Sequence, residues 1–140
     1  MKLIKFLVMI QEDKDLLLQD LCGRLPYGVK CKVWYNDKTL NIKCTGIDFY
    51  TNTVNLDIPG DDNAKVYVDN IKPYLFPLSS MTEEQKIIYG DLCYAVIHSL
   101  AWDMQAALNE LIDWLNKNHF DYRGLIEKGL AVNATGLNIY

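Results

Sequence analysis

Residues 28–46 have the sequence GVKCKVWYNDKTLNIKCTG, in which apolar and polar side chains alternate on both sides of a short polar turn. The apolar side chains of the first half share one side of an extended chain: Val29, Cys31, Val33 and Tyr35. Lys30, Lys32 and Trp34 then lie on the opposite side. This pattern predicts two antiparallel strands joined by a turn at residues 36–38.

The same alternation continues downstream. It recurs at residues 54–58 and at residues 66–68, and Pro59–Asn63 between them is a strong turn signal. Gly46 is expected to end or bulge the second strand. Residues 71–78 add a fifth strand that Pro73 and Pro77 interrupt. Four or five short strands predict a small, strongly bent antiparallel sheet or an SH3-like barrel.

Helical patterns flank this β region. Leucines recur at three- and four-residue steps over residues 13–25. Thr82 followed by Gln85 is a capping box, so a helix is predicted to begin at Glu83. Residues 104–118 carry a clear apolar stripe.

Three further segments complete the chain. A last short helix is predicted at residues 122–131, and the tail to Tyr140 is expected to be loosely held. The pattern leaves open whether residues 93–103 are helix or strand, and whether residues 1–10 form a strand or a helical turn.

The predicted class is α+β. A helix and a β module occupy residues 1–78, a helical region occupies residues 79–140, and the two are expected to pack as one compact unit.

Composition narrows the function classes. The net charge of −4 and the absence of a basic run argue against nonspecific nucleic-acid binding. No apolar stretch is long enough to cross a membrane, and the N-terminal segment lacks the pattern of a secretory signal. A cytoplasmic protein is therefore expected.

The four cysteines have no close pairing. Cys22, Cys31, Cys44 and Cys93 lack the spacing of zinc ligands, so they are predicted to be reduced, metal-free apolar residues. Nucleotide-loop and hydrolase motifs are also absent from the sequence, and no cofactor is predicted.

Two motifs carry a resemblance. They are IKPYLFPLSSMTEE at residues 71–84 and IDWLNKNHFDYRGLIEKGLA at residues 112–131. Both resemble a family of short proteins encoded by gut Bacteroidetes and by their phages and mobile elements. The resemblance implies a phage or mobile-element setting and the cytoplasm of a bacterial host cell. It implies no activity and no catalytic residues.

Two residue clusters are candidate sites. The first is an aromatic and cationic face of the β module that could stack a base or a peptide: Trp34, Lys30, Lys32, Lys43 and Tyr67. The second is a polar cluster near the end of the long helix: His119, Asp121, Arg123 and Glu127. A His–carboxylate pair could do acid–base work, but the charges expected at helix ends are the simpler explanation of the second cluster.

These features favour a non-enzymatic binding or accessory protein that acts on a host protein such as a defence component. A nucleotide or nucleic-acid binding module is the first alternative, and an enzyme that uses His119 and Asp121 is the second. The apolar stripe of the C-terminal helices, with Trp102 and Trp114, suits homodimerisation as well as it suits the core.

Overall fold

A computed structural model describes residues 9–100 and 102–140, so the prediction for the start of the chain lies mostly outside the described residues. The predicted α+β class is confirmed. The described residues contain three α-helices: α1 (Gln11–Arg24), α2 (Glu83–Ile97) and α3 (Met104–Lys117). The same part of the chain contains seven strands: β1 (Lys30–Tyr35), β2 (Lys38–Asp48), β3 (Thr53–Leu56), β4 (Lys65–Tyr67), β5 (Ile71–Pro77), β6 (Phe120–Asp121) and β7 (Val132–Asn133).

The strands form one mostly antiparallel sheet. Its order is β4-β3-β2-β1-β5-β6, and β7 also pairs with β5. β6 and β7 run parallel to β5, whereas the five earlier strands form antiparallel pairs. The path stays open within the described residues, so the sheet is not closed into a barrel.

Local sequence explains the central hairpin. Asn36 and Asp37 connect β1 to β2 with φ values of 52° and 60°. Asparagine and aspartate tolerate this left-handed conformation, which matches the twist of a two-residue hairpin. A register shift between Cys44 and Gly46 marks the predicted bulge, and such a bulge bends the strand that carries it.

The helices follow their sequence signals. Thr82 accepts a hydrogen bond from the Gln85 N–H at 3.2 Å, and the Gln85 side chain accepts one from the Thr82 N–H at 2.9 Å. The predicted capping box is therefore confirmed. The ambiguous segment after Cys93 continues as helix to Ile97.

The main core lies between α1 and the inner face of the sheet. Leu17, Leu18 and Leu21 are fully buried there, with Cys31 and Val33 of β1. The C-terminal segment adds three further buried side chains to this cluster: Leu125, Leu130 and Ala131. A smaller cluster of Met81, Leu115 and Phe120 holds the base of α2 and α3.

The predicted helix at residues 122–131 is wrong. The segment is a series of turns, in which Gly124 and Gly129 have φ values of 72° and 74°. Both positions lie in the left-handed region, which interrupts an α-helix. Leu125 and Leu130 reach the core from these turns.

The expectation of a loose tail is also wrong. The Tyr140 hydroxyl donates a hydrogen bond to the Tyr74 carbonyl at 2.7 Å and accepts one from the Lys30 N–H at 3.0 Å. Lys30 Nζ donates to the Ile139 carbonyl at 2.9 Å. These bonds fasten the tail to β1 and β5.

An ion pair lies inside the core. Arg24 and Asp20, one turn apart on α1, are both fully buried. Arg24 Nε and Nη2 donate to the two Asp20 oxygens at 2.8 and 3.1 Å, and Nη2 also donates to the Phe120 carbonyl at 2.7 Å. This guanidinium therefore joins α1 to β6.

Arg24→Met is expected to lower the free energy of unfolding by about 3–5 kcal/mol, because it leaves the Asp20 carboxylate buried with its closest cation removed. Denaturant unfolding measures this loss. The double variant Asp20→Leu/Arg24→Met is expected to recover at least about 1 kcal/mol, since it removes both charges. A double variant that is less stable than Arg24→Met would contradict the assignment.

Thr82→Ala is expected to lower the free energy of unfolding by about 1 kcal/mol, because it removes the acceptor for the Gln85 N–H. Thr135→Ala, at an exposed turn position where only the backbone N–H of the threonine has a hydrogen bond among the described residues, is the matched control in the same denaturant experiment. Equal effects of the two substitutions would count against a capping role.

Candidate functional site

One face of the sheet carries a group of cations. Directly opposite residues of paired strands share a face, and residues two apart along a strand return to it. The register pairs Lys30 with Lys43 and Lys32 with Asn41 across β1 and β2, and it pairs Lys32 with Lys72 across β1 and β5. We call this the lysine–tryptophan face, defined by Lys30, Lys32, Trp34, Lys43 and Lys72.

Its charges repel one another. Lys30 is directly opposite Lys43, and Lys32 is directly opposite Lys72. Like charges in this position destabilise a sheet. Within residues 9–100 and 102–140, Lys32, Lys43 and Lys72 form no ion pair.

Trp34 lines two surface depressions. One has a volume of about 280 Å³, and Lys32, Lys72 and Asp69 also line it. The other has a volume of about 430 Å³, and Lys65, Tyr67 and Asp37 also line it. The structure therefore places Trp34 beside Lys32 in the first depression and beside Tyr67 in the second.

The other two predicted lysines contact other parts of the chain. Lys30 is half-buried and bonded to Ile139, and the Lys43 ammonium lies over Gly28. The open part of the lysine–tryptophan face is thus formed by Lys32, Trp34 and Lys72. Lys72 was missed in the sequence because Pro73 follows it and obscures the alternation of β5.

The Asp121 carboxylate stabilises the backbone after β6. Its two carboxylate oxygens accept hydrogen bonds from the Leu125 and Ile126 N–H groups, both at 2.9 Å. Asp121 is itself buried. A carboxylate held in this way orders the turns that follow β6, and both of its oxygens are occupied.

His119 stacks on the C-terminal tyrosine. Its ring lies flat against the Tyr140 ring, with centroids 3.6 Å apart and an interplanar angle of 10°. Burial, assisted by the charge of Arg24, lowers the pKa of His119 to about 4. Burial also raises the pKa of the Tyr140 hydroxyl, which is enclosed by backbone groups although part of the ring is exposed.

Arg123 belongs to the buried ion pair. Its Nε lies 3.3 Å from an Asp20 oxygen, without the alignment of a hydrogen bond. The Arg24 and Arg123 guanidinium groups both lie over the Tyr122 ring, at 5.1 and 5.2 Å from its centre. Glu127 is exposed. The predicted polar cluster is therefore divided between structural contacts and solvent.

The cysteines include one close pair. Cys31 Sγ and Cys44 Sγ lie 3.3 Å apart in the core, a thiol contact rather than a disulfide. Burial is the main cause that raises the pKa of Cys31. The described part of the chain brings no three potential metal ligands together, and none of its helices is long and apolar enough to span a membrane.

Comparison of the chain with protein-family models, curated proteins and solved structures finds no match.

His119 is expected to make the fold sensitive to acid. Its pKa of about 4 in the fold is lower than its ordinary value near 6.5, so the unfolded chain takes up the proton first. The neutral His119 ring makes its full contribution to the free energy of unfolding above pH 6.5, and this contribution is lost as the pH falls towards 4. His119→Asn keeps a residue that tolerates the observed φ of 61°.

Denaturant unfolding curves of the wild type and of His119→Asn between pH 7 and pH 4 test this expectation. His98→Asn, at an exposed histidine, is the control. The His119→Asn protein is expected to lose less stability over this range than the wild type. Parallel pH profiles for the wild type and His119→Asn would contradict it.

Proposed function

We propose that this chain is a non-enzymatic binding protein of phage or mobile-element origin that acts in the cytoplasm of a bacterial host. Its ligand is a segment of a host protein, such as a defence component, held on the lysine–tryptophan face. The resemblance of residues 71–84 and 112–131 to phage and mobile-element proteins supports the setting. The geometry of the face supports the mode of action.

The observation that carries the proposal is the placement of Lys32 directly opposite Lys72. An acidic chain could lower its free energy by placing a carboxylate at either position, because opposite charges attract there. Instead the two ammonium groups share an exposed face beside Trp34. A ligand with negative charge would relieve their repulsion.

The ligand chemistry follows from the two depressions. Lys32 and Lys72 suit carboxylates of an extended acidic segment, and Trp34 with Tyr67 offers aromatic area for an apolar side chain of the same segment. Trp34 is half-buried and Tyr67 is largely exposed, so both rings combine a fixed position with accessible surface.

A single strand of nucleic acid is the second candidate for the same face. Lysines beside an aromatic ring can hold phosphates while a base stacks on the ring. The chain's net charge of −4 disfavours this ligand relative to a short acidic segment, because the rest of the surface repels a long polyanion. The enzyme alternative has little support, since Asp121 is held by backbone groups and His119 by Tyr140.

Charge reversal tests the proposal. Lys32→Glu/Lys72→Glu is expected to weaken binding of a labelled polyglutamate peptide at least about tenfold, because each substitution replaces an attraction with a repulsion. Trp34→Ala is expected to weaken capture of the host partner by about 1 kcal/mol or more. Fluorescence anisotropy measures the peptide, and affinity capture from host cells measures the partner.

Lys128→Glu/Lys38→Glu is the matched control, since it makes the same charge change at exposed positions outside the two depressions. The control is expected to retain most of the capture. A captured partner that the Lys32→Glu/Lys72→Glu variant retains would refute the proposal. Binding of labelled oligothymidylate in place of the peptide, with nuclease-sensitive capture, would assign the face to nucleic acid instead.

A further inference from the structure

The helical hairpin exposes a second surface of different chemistry. α2 and α3 are joined by residues 98–103, and α2 has no fully buried residue. Eight large apolar side chains of the hairpin are exposed: Ile87, Ile88, Tyr94, Ile97, Leu100, Trp102, Met104 and Leu108. Ile97 and Trp102 near its tip are 74% and 78% exposed. We call these eight residues the hairpin surface.

The inner side of the hairpin is already occupied. Tyr89 stacks on Trp114 with ring centroids 6.3 Å apart, and Trp114 stacks on Phe120 at the base. Those contacts hold α2 against α3 and anchor both to the body. The hairpin surface is therefore additional to the apolar side chains that the fold itself uses.

Its size suits a docking site. With about 100 Å² for an aliphatic and about 200 Å² for an aromatic side chain, the exposed fractions amount to several hundred Å² of apolar surface. Because Ile88 and Ile97 are nine residues apart and lie on opposite sides of α2, one occupant would cover only part of this area, on the scale of the largest apolar patches of monomers.

The negative charge of the hairpin indicates which kind of molecule could cover the hairpin surface. Residues 87–116 contain four carboxylates and no lysine or arginine: Asp91, Asp103, Glu110 and Asp113. All four are exposed. Ile87, Asp91 and Tyr94 follow one another at helical spacings of four and three residues, so a carboxylate interrupts the apolar stripe of α2 itself. An occupant that covers this stripe must meet negative charge.

We propose that the hairpin surface docks a cationic amphipathic helix of another protein. Such a helix would cover Ile97 and Trp102 with its apolar stripe, and its lysines or arginines would lie beside Asp91 and Glu110. This mode combines burial of exposed apolar side chains with charge complementarity. A second copy of the chain would bring an equally acidic hairpin, in which Lys86 and Lys117 stand at the base of α2 and α3 and no lysine or arginine lies within residues 87–116, so it is the poorer fit.

The inference goes beyond the proposed function and does not depend on it. The hairpin surface has negative charge and the lysine–tryptophan face has positive charge, so the two surfaces select ligands of opposite kind. With both surfaces occupied, the chain would join two proteins as an adaptor.

A pair of designed peptides tests the proposal. The first is an amphipathic peptide of about 18 residues with leucines at helical spacing and lysines elsewhere, and the second replaces every lysine with glutamate. The lysine peptide is expected to bind the full chain, become helical and bind more weakly as salt rises, whereas the glutamate peptide is not expected to bind. Isothermal calorimetry and circular dichroism measure both.

Variants locate the binding. We expect the affinity for the lysine peptide to fall at least about fivefold in each of two double variants, Ile97→Ser/Trp102→Ser and Asp91→Asn/Glu110→Gln. Tyr50→Ser and Asp62→Asn, which alter an exposed aromatic and an exposed carboxylate in distant turns, are expected to leave its affinity unchanged. Unchanged thermal melting shows that the variants are folded, and the charge variant removes no apolar contact.

Three results would overturn the proposal. Equal binding of both peptides would show apolar adhesion without charge selection. Equal binding by the wild type and Asp91→Asn/Glu110→Gln would place the peptide elsewhere. A dimer in sedimentation experiments that excludes the lysine peptide and is lost in Ile97→Ser/Trp102→Ser would make a second copy the occupant.

Discussion

The buried ion pair of Asp20 and Arg24 connects the two halves of the molecule. Both side chains come from one turn of α1, yet the Arg24 guanidinium also binds the Phe120 carbonyl. Burying two charges is costly, and their attraction offsets that cost only when the geometry is good and the remaining donors are satisfied. Most of these donors have acceptors, although Arg24 Nη1 has none among the described residues. The position of β6 is thus a condition for burying α1.

The C-terminal segment is arranged around this pair. Arg123 Nε lies 3.3 Å from Asp20 Oδ1, the oxygen that also accepts a hydrogen bond from Arg24 Nη2, and both guanidinium groups lie over the Tyr122 ring. Asp121 then holds the first turn after β6 by two backbone hydrogen bonds. Two members of the predicted polar cluster, Asp121 and Arg123, therefore have structural contacts next to the strand that Arg24 binds.

The accuracy of the sequence predictions depends on the range of the interactions. The hairpin of β1 and β2 and the Thr82 capping box arise from neighbours in the chain, and the sequence predicts both. The turns after Tyr122 depend on contacts with α1 and β5, so periodicity alone indicates a helix there. Asp20 and Arg24 share the apolar stripe of Leu17 and Leu21, and two charges at spacing four within a buried stripe are the signal that was missed.

The candidate sites also combine features that the local sequence predicts with features that depend on distant contacts. Alternation along β1 places Lys32 and Trp34 on one face, but only the pairing with β5 brings in Lys72. The hairpin surface has apolar side chains at helical spacing, and the sequence does not tell which of them a core will cover. Tyr89 and Trp114 are used to join α2 to α3, whereas Ile97 and Trp102 are left exposed. Packing of the described residues explains neither the repulsion between Lys32 and Lys72 nor the exposure of the Trp102 indole. Contact with other molecules is therefore the stronger explanation for both.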